Sequence, residues 1–391
     1  MTLELFHALQ ETQGCELLAR LAQDRLTLDD TLPVLERYRR EYPVELVRAA
    51  LDLTLLRHRA RAKFSRADAM FFTRSGLEMA SAEAVARHTA ARFAGLPCVA
   101  DCCCGIGGDL LALAQVAGEV FAVDADPLAL EMARANAGVY GVEARVRFTC
   151  ADVTTQTGAL AAASAVFIDP CRRSDSAQRV SRRPEDYSPP LSWCLSLTQY
   201  VPRVAVKVAP ALDYEQVLKE TSAEVELISL DGECKEAIFW LGEFRTCTRR
   251  ATLLPGGVTF TDDGPSSDAL GEVGCWIYEP DAALIRAHLV QRLAGEYALH
   301  RIDPEIAYLS GDAEITSPAM TRYRVREVVP WGLKRVNAAL ASRGIGHVVI
   351  KKRGFPLTPE QLRPKLKPTG AAHATLICTR VHGQPVVIIA D

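Results

Sequence analysis

Apolar side chains recur every third or fourth residue through LPVLERYRR (Leu32–Arg40), PVELVRAALDLTLLRHRARAKF (Pro43–Phe64) and AEAVARHTAARFA (Ala82–Ala94). That period gathers them on one side of a helix, so residues 1 to about 90 are predicted helical, with Pro33 and Pro43 at helix starts. Ser81, just ahead of the last run, reads equally as a helix cap. The pattern then breaks into short apolar runs: Val99–Ala100, Val120–Val123, Val146–Cys150 and Ala165–Ile168. These are strand-sized, and helix-like segments separate most of them. RVAVKVAPALD (Arg203–Asp213) gives a fifth strand, while EVELISL and EAIFWLG, joined through Asp231 and Gly232, give a final antiparallel hairpin. Short strands alternating with helices predict an α/β domain built on a parallel sheet.

TDDGPSSDALG (Thr261–Gly271) is rich in turn residues and reads as part of a linker. Beyond it the periods mix. EPDAALIRAHLVQRLAG and WGLKRVNAALASRG read as helices, Gly346–Lys351 as a strand, and Thr358, Pro359, Glu360, Gln361 as a capping box. TLICTRV and PVVIIA, around His382, Gly383 and Gln384, read as a hairpin. The expected division is a helical region at 1–92, an α/β domain at 93–250, a linker at 251–272 and a small α+β domain at 273–391.

At 391 residues and 49% hydrophobic, the chain has material for two or three cores. No apolar run reaches membrane-spanning length, and MTLELFHALQETQG lacks a signal-peptide core, so a cytoplasmic protein is expected. Twelve scattered cysteines, three of them consecutive at Cys102–Cys104, form no paired metal knuckles and read as reduced thiols. No metal is expected. The net charge of −3 conceals a basic end: from Trp331 onward come Lys334, Arg335, Arg343, Lys351, Lys352, Arg353, Arg363, Lys365, Lys367 and Arg380, against Glu360 and Asp391. Such a cluster is either a solvated face or the electrostatic footprint of RNA binding.

The candidate chemistry starts at VADCCCGIGGD (Val99–Asp109), where a strand runs into a glycine turn and a helix. Glycines there let a ligand approach the backbone. Asp124 ends the next strand about 20 residues beyond Gly105, where nucleotide folds keep the acid that grips ribose hydroxyls. Asp152 and Asp169 follow the third and fourth strands.

Asp101 four residues before Gly105, with the Gly107-Gly108-Asp109 ending, resembles motif I of class I S-adenosylmethionine (SAM) methyltransferases. From Ala82 to Asp169, notably in VADCCCGIGGD, AVDADPLALEMARANAGVYGV and VRFTCAD, the chain is similar to the RNA cap guanine-N2 methyltransferase (trimethylguanosine synthase) domain. With its C-terminal third, the whole resembles a bacterial family of class I methyltransferases carrying a THUMP-like domain. The resemblance implies a Rossmann-like sheet with SAM as cofactor. Asp101 would orient the loop or reach the methionine ammonium, and Gly105, Gly107 and Gly108 would let SAM lie on the backbone. Asp124 would take the ribose hydroxyls and Asp152 the adenine amino group, Asp152 reading otherwise as a helix cap. The loop of Met79, Ala80 and Ser81 would close over SAM.

Amino-methylating relatives end the fourth strand in Asp or Asn, Pro, Pro and an aromatic, and the acid accepts hydrogen bonds from the target amine. Here Asp169, Pro170, Cys171, Arg172 and Arg173 stand there, without the second proline and the aromatic, so cap specificity does not carry over. Arg172 and Arg173 read as a fork for an anionic substrate or as partners of Asp175 or Glu185. Cys171 reads as a small residue or as the nucleophile that cytosine-5 methyltransferases place after proline. THUMP domains bind structured RNA. The expected RNA contacts are therefore Lys351, Lys352, Arg353 and Phe355 in KKRGFP, unless Phe355 folds into the core.

The combined expectation is methyl transfer from SAM to a base of structured RNA, at an exocyclic amine, with Asp169, Pro170, Cys171 and Arg172 on the acceptor side. A methyltransferase of a small anionic metabolite or a protein, and a non-catalytic RNA-binding protein retaining a SAM site, are the rival readings.

Overall fold

The computed structural model describes residues 1–24, 31–171 and 186–391. The chain forms two compact units, Met1–Glu224 with Ala237–Thr246, and Val225–Glu236 with Cys247–Asp391. No helix among the described residues is long and apolar enough to cross a membrane.

The first unit opens with α1 (Leu3–Gln10), α2 (Thr12–Gln23), α3 (Thr31–Tyr38), α4 (Val44–Ala60), α5 (Arg74–Met79) and α6 (Glu83–Ala90). The predicted stripes face inward, burying Phe6, Leu9, Leu17, Leu21, Val47, Ala50 and Leu53. Ala82, not Ser81, occupies the N-cap of α6 and offers no side-chain cap.

The α/β part follows as β1 (Cys98–Cys102), α7 (Leu110–Val116), β2 (Glu119–Asp124), α8 (Pro127–Tyr140), β3 (Val146–Cys150), α9 (Thr157–Ala161), β4 (Ala165–Ile168), α10 (Leu191–Ser196), β5 (Arg203–Val208) and α11 (Glu215–Glu220). After them come β6 (Ala223–Leu230), mostly in the second unit, and β7 (Glu233–Gly242), whose Ala237–Gly242 part returns to the first. The first unit's strand order is β3-β2-β1-β4-β5-β7, with the first five parallel and β7 antiparallel to β5. This is the Rossmann-like sheet that the resemblance implied. Its order reverses between β1 and β4, and in open α/β sheets ligands bind beyond the carboxyl ends of strands at such a switch point. Helix α8 shows how local chemistry sets the frame: Asp126 accepts from the Leu128 N–H at 2.9 Å, Pro127 opens the helix and Gly141 closes it left-handed.

In the second unit the expected linker at 251–272 is not a linker. It contains most of β8 (Arg249–Leu254), parallel to β6, and all of β9 (Val258–Thr261), antiparallel to β8. Ala251, Leu253 and Phe260 supply the buried face, and the Thr252 hydroxyl donates to buried Glu226 at 2.6 Å. The turn-rich stretch after Thr261 is strapped down as well, through Ser267 N–H to Gln291 O at 2.9 Å and Gly271 N–H to Arg301 O at 3.0 Å.

A second sheet comprises β10 (Trp276–Pro280), β11 (His300–Arg301), β12 (Leu309–Gly311), β13 (Met320–Pro330), β14 (Ile345–Lys352), β15 (Ala372–Val381) and β16 (Gln384–Ala390). Its order is β11-β12-β10-β13-β16-β15-β14, antiparallel except for the β14–β15 pair. Alternation along β15 and β16 sends Leu376 and Ile389 to one core and Ile377 and Ile388 to another. The single helix predicted over EPDAALIRAHLVQRLAG is instead α12 (Ala282–Arg286) and α13 (Val290–Glu296), separated where His288 takes a φ of 57°. Next come α14 (Leu333–Ser342) and α15 (Pro359–Leu362), the latter opened by the predicted capping box of Thr358 and Gln361.

Candidate active site

Asp101 stands one residue from the end of β1, with Ala122 of β2 beside it on one flank and Phe167 of β4 on the other. Its side chain is sealed at 1% exposure, and among the described residues neither carboxylate oxygen has a hydrogen-bond partner. Burial above all, then the nearby carboxylates of Asp109, Asp169 and Asp124, pushes its acid well above the usual carboxylate range. A buried carboxylate with no donor is an unfinished site.

The chain then turns sharply. Cys103 N–H and Cys104 N–H both donate to Val123 O, and Gly105 and Gly107 adopt φ values of 54° and 95°, a region that favours glycine. Apart from Gly105 itself and its chain neighbours, no atom of the described residues lies within 4 Å of where a Gly105 Cβ would stand, so the loop faces open space there. Gly108 serves packing instead. A Cβ there would meet Ala80 Cβ and Ser81 N at 3.1 Å, so its bareness lets the α5–α6 loop sit close. The thiols of Cys102, Cys103 and Cys104 are all pushed well up, mainly by burial, which makes them inert packing groups.

Asp124 ends β2 with Oδ2 accepting from Gly105 N–H and Oδ1 from Asp126 N–H. Burial raises its acid, against the lowering effect of those N–H groups. Asp152, beyond β3, is exposed and caps a short turn, taking both the N–H and the hydroxyl of Thr154; those bonds lower its acid. The helix-cap reading of Asp152 therefore describes what it does within the protein.

Asp169 follows β4, its backbone N–H donating to Cys102 O at 3.1 Å. Its side chain, 22% exposed, pairs through Oδ2 with Lys207 Nζ at 2.9 Å. Lys207 lies on β5 and is 2% exposed. Its ammonium also reaches Ser81 Oγ at 2.6 Å and Asp109 Oδ2 at 3.3 Å, while Ser81 donates to Asp109 at 2.8 Å. The Ser81 hydrogen is thus directed at the protein, not at a ligand. The sequence assigns Lys207 no role and Asp109 none beyond closing the glycine motif. A lone lysine inside the apolar run RVAVKVA was the available signal, because lysine is almost never fully buried unless paired.

Pro170 is buried, and Cys171 is exposed and bridged through its backbone to Ser188. Arg172 and Arg173 lie outside the described residues.

Asp101, Gly105, Gly107, Asp124 and Asp169 therefore converge at the carboxyl ends of three neighbouring strands, with Asp152 at the next. The acceptor set fits SAM: an orphaned buried acid for an ammonium, an acid beside the glycine loop for hydroxyls, and open backbone between them.

The basic stretch of the second unit is rearranged relative to expectation. Lys351 lies on β14 as predicted, and the strand runs on through Lys352. Lys351 pairs with Glu279 at 2.5 Å, and Arg353 pairs with the same carboxylate at 3.4 Å. Phe355 does not reach solvent: it is 3% exposed, packed edge-on against Trp331 with centroids 4.9 Å apart, because the chain turns at Gly354 (φ 68°) and drops it into the core with Leu362 and Leu366. The exposed cations without an ion pair among the described residues include instead Lys352, Lys334, Arg363, Lys365 and Lys367. Asn337 of α14, one turn from Lys334, bonds the backbones of Lys365 and Lys367, which joins these two segments.

Comparison with known proteins covers both units. The RNA cap guanine-N2 methyltransferase family matches residues 96–174, the THUMP domain-like family matches 320–391, and a domain of unknown function matches 2–60. An uncharacterized S-adenosylmethionine-dependent methyltransferase of Mycobacterium tuberculosis is 35% identical over 342 residues, covering 85% of this chain and 92% of the relative; strains CDC 1551 / Oshkosh and ATCC 25618 / H37Rv both carry it. A crystal structure assigned as a methyltransferase of Porphyromonas gingivalis W83 superposes with a TM-score of 0.73 at 18% identity, covering 93% of this chain and 98% of that one, a likeness of fold.

Proposed function

The chain belongs to the S-adenosylmethionine-dependent methyltransferases that carry a THUMP-like domain, and from that premise we propose that it methylates a base of structured RNA at an exocyclic amine. The observation that supports this reading is the position of Asp169 just past β4, where its N–H bonds Cys102 O at the end of β1 and its carboxylate is near enough to raise the acid of Asp101. The cofactor side and the acceptor side thus meet where the strand order reverses.

When bound, SAM supplies an electrophilic methyl group on a sulfonium leaving group. The protein's part is to bind and aim. Asp101 accepts the methionine ammonium, Asp124 the ribose hydroxyls and Asp152 the adenine amino group, while Gly105 and Gly107 keep side chains out of the way. Asp169 accepts a hydrogen from the target amine and so directs the nitrogen lone pair. Orientation of this kind accounts for much of the barrier reduction in a two-substrate transfer. RNA is supported by the THUMP-like match and by the exposed cations Lys334, Lys352, Arg363, Lys365 and Lys367 in that unit, which form no ion pair among the described residues.

The test is transfer of labelled methyl from SAM to RNA isolated from a strain lacking the protein, with Asp169→Ala as control and digestion to nucleosides. Label in one N-methylated nucleoside, absent with the variant, is expected. Label at a pyrimidine C5 position would move the chemistry to Cys171. No label in RNA would move the substrate to a small anion or a protein.

A further inference from the structure

We propose that Lys207 is the positioning residue of the acceptor site, anchoring one oxygen of Asp169 so that the other is presented to the methyl acceptor. The inference rests on the reading of Asp169 as the acceptor-side carboxylate.

Lys207 lies within β5, where its strand neighbours Val206 and Val208 are buried and apolar. An apolar residue would satisfy that position without the cost of desolvating an ammonium. The lysine instead reaches three partners from three separate segments: Ser81 of the α5–α6 loop, Asp109 at the end of the glycine turn and Asp169 after β4. An ammonium has three hydrogens. Two hydrogen bonds, to Ser81 at 2.6 Å and Asp109 at 3.3 Å, and an ion pair with Asp169 at 2.9 Å engage it within the protein. Lys207 is therefore not equipped to donate to a substrate, and its influence passes through its partners.

Of those partners only Asp169 has appreciable exposure, 22% for its side chain against 10% for Asp109, and Ser81 is 3% exposed. The ammonium thus grips Asp169 from the protein side through Oδ2, and among the described residues Oδ1 has no partner. A carboxylate pinned at one oxygen has lost its freedom to turn about its side-chain bonds, so the remaining oxygen points in one direction. That direction is also tied to the loop before α6, because Ser81 shares the ammonium and rests against Gly108. A shift of the α5–α6 loop would then be felt at the acceptor carboxylate.

The test is a double-mutant cycle on single-turnover transfer to RNA, using Lys207→Met, Asp169→Asn and the pair together. Lys207→Met is expected to lower the rate about 100-fold, the scale of a misplacement of about 1 Å. It should leave S-adenosylhomocysteine affinity unchanged and cost nothing further when Asp169 is already Asn, and Lys207→Arg should recover part of the rate. Additive losses, or a rate unaffected by Lys207→Met, would overturn the proposal. Where Lys207→Met does not fold, Lys207→Gln, with a donor on a shorter stem, takes its place in the same cycle. If the wild-type protein methylates no RNA, the reading of the substrate fails, and the positioning role is decided on the free protein. The 13C carboxyl resonance of Asp169, identified by its loss in Asp169→Asn, should then shift and broaden in Lys207→Met. An unmoved resonance would sink the proposal whatever the acceptor.

Discussion

The carboxylate of Asp124 is tied to Gly105: the glycine N–H lies 2.8 Å from Oδ2, so the acid at the end of β2 helps to hold the loop after β1. Two backbone N–H bonds still leave it acceptor capacity for hydroxyl groups. Asp124→Ala is expected to weaken SAM binding by about 1.5–3 kcal/mol, the range for charge-assisted hydrogen bonds. Titration calorimetry checks this, and unchanged affinity would take Asp124 out of the site.

Asp101 carries a stability cost, which the proposed ammonium contact would offset. Its acid is raised in the folded protein, so between the unfolded value of about 3.9 and the folded one the native state holds a proton that the unfolded chain has released. Stability therefore falls as pH rises through that window. Asp101→Asn should make the protein more stable than wild type at neutral pH, with the gain vanishing below about pH 4, while SAM binding weakens. Urea unfolding at the two pH values, beside a binding titration, gives the answer; a destabilised variant at neutral pH would contradict the account.

Arg92 pairs with Glu224, whose side chain is fully buried and also accepts from the N–H and hydroxyl of Thr246; the guanidinium sits over the Trp240 ring at 4.2 Å. Removing one partner of a buried pair strands the other charge, so Arg92→Ala should cost about 3–5 kcal/mol. Denaturant unfolding of the full chain measures it, and a loss under about 1 kcal/mol, the size of a surface pair, would show that the pair is solvated.

Phe355→Ala should act as a core deletion, costing about 3–5 kcal/mol of stability. RNA affinity measured where the variant remains folded should match wild type. A selective loss of RNA binding without loss of stability would return Phe355 to the surface role first expected of it.

Replacing Lys352, Arg363 and Lys365 with serine should flatten the dependence of log affinity on log salt by roughly 0.7–0.9 for each phosphate contact removed. The same treatment of Lys351 and Arg353 should mainly unpair Glu279 and affect folding. An unaltered slope in the first variant would place the RNA elsewhere.

Strand ends carrying acids were legible because alternation of period and glycine turns is a local signal: Asp101, Asp124, Asp152 and Asp169 all stand at or just past the ends of strands. The capping box at Thr358 and Gln361 was legible for the same reason. Long-range pairing was not. Nothing near Lys207 in the chain announces Ser81 or Asp109, and nothing near Lys351 announces Glu279, 72 residues away. Thr252 and Phe260 looked like part of a tether because both strands there are short and β6, the partner of β8, lies before the intervening turn and β7. Phe355 follows two lysines and an arginine, and only the tertiary turn at Gly354 shows that the basic character stops before it.

The chain visits its two units alternately, leaving the first after Glu224, returning for Ala237–Thr246 and departing again. Neither unit is one uninterrupted length of polypeptide. During synthesis the first sheet cannot gain β7 until a piece of the second unit has already emerged, so the nascent chain must hold an incomplete edge at β5 in the meantime. A single cut in the turn-rich stretch after Thr261 leaves β8 and β9 with the amino-terminal fragment and takes the second sheet away. Inheritance follows the same logic: a breakpoint after Thr246 keeps the first unit whole but carries Val225–Glu236 away from the second, so no one breakpoint parts the two units cleanly.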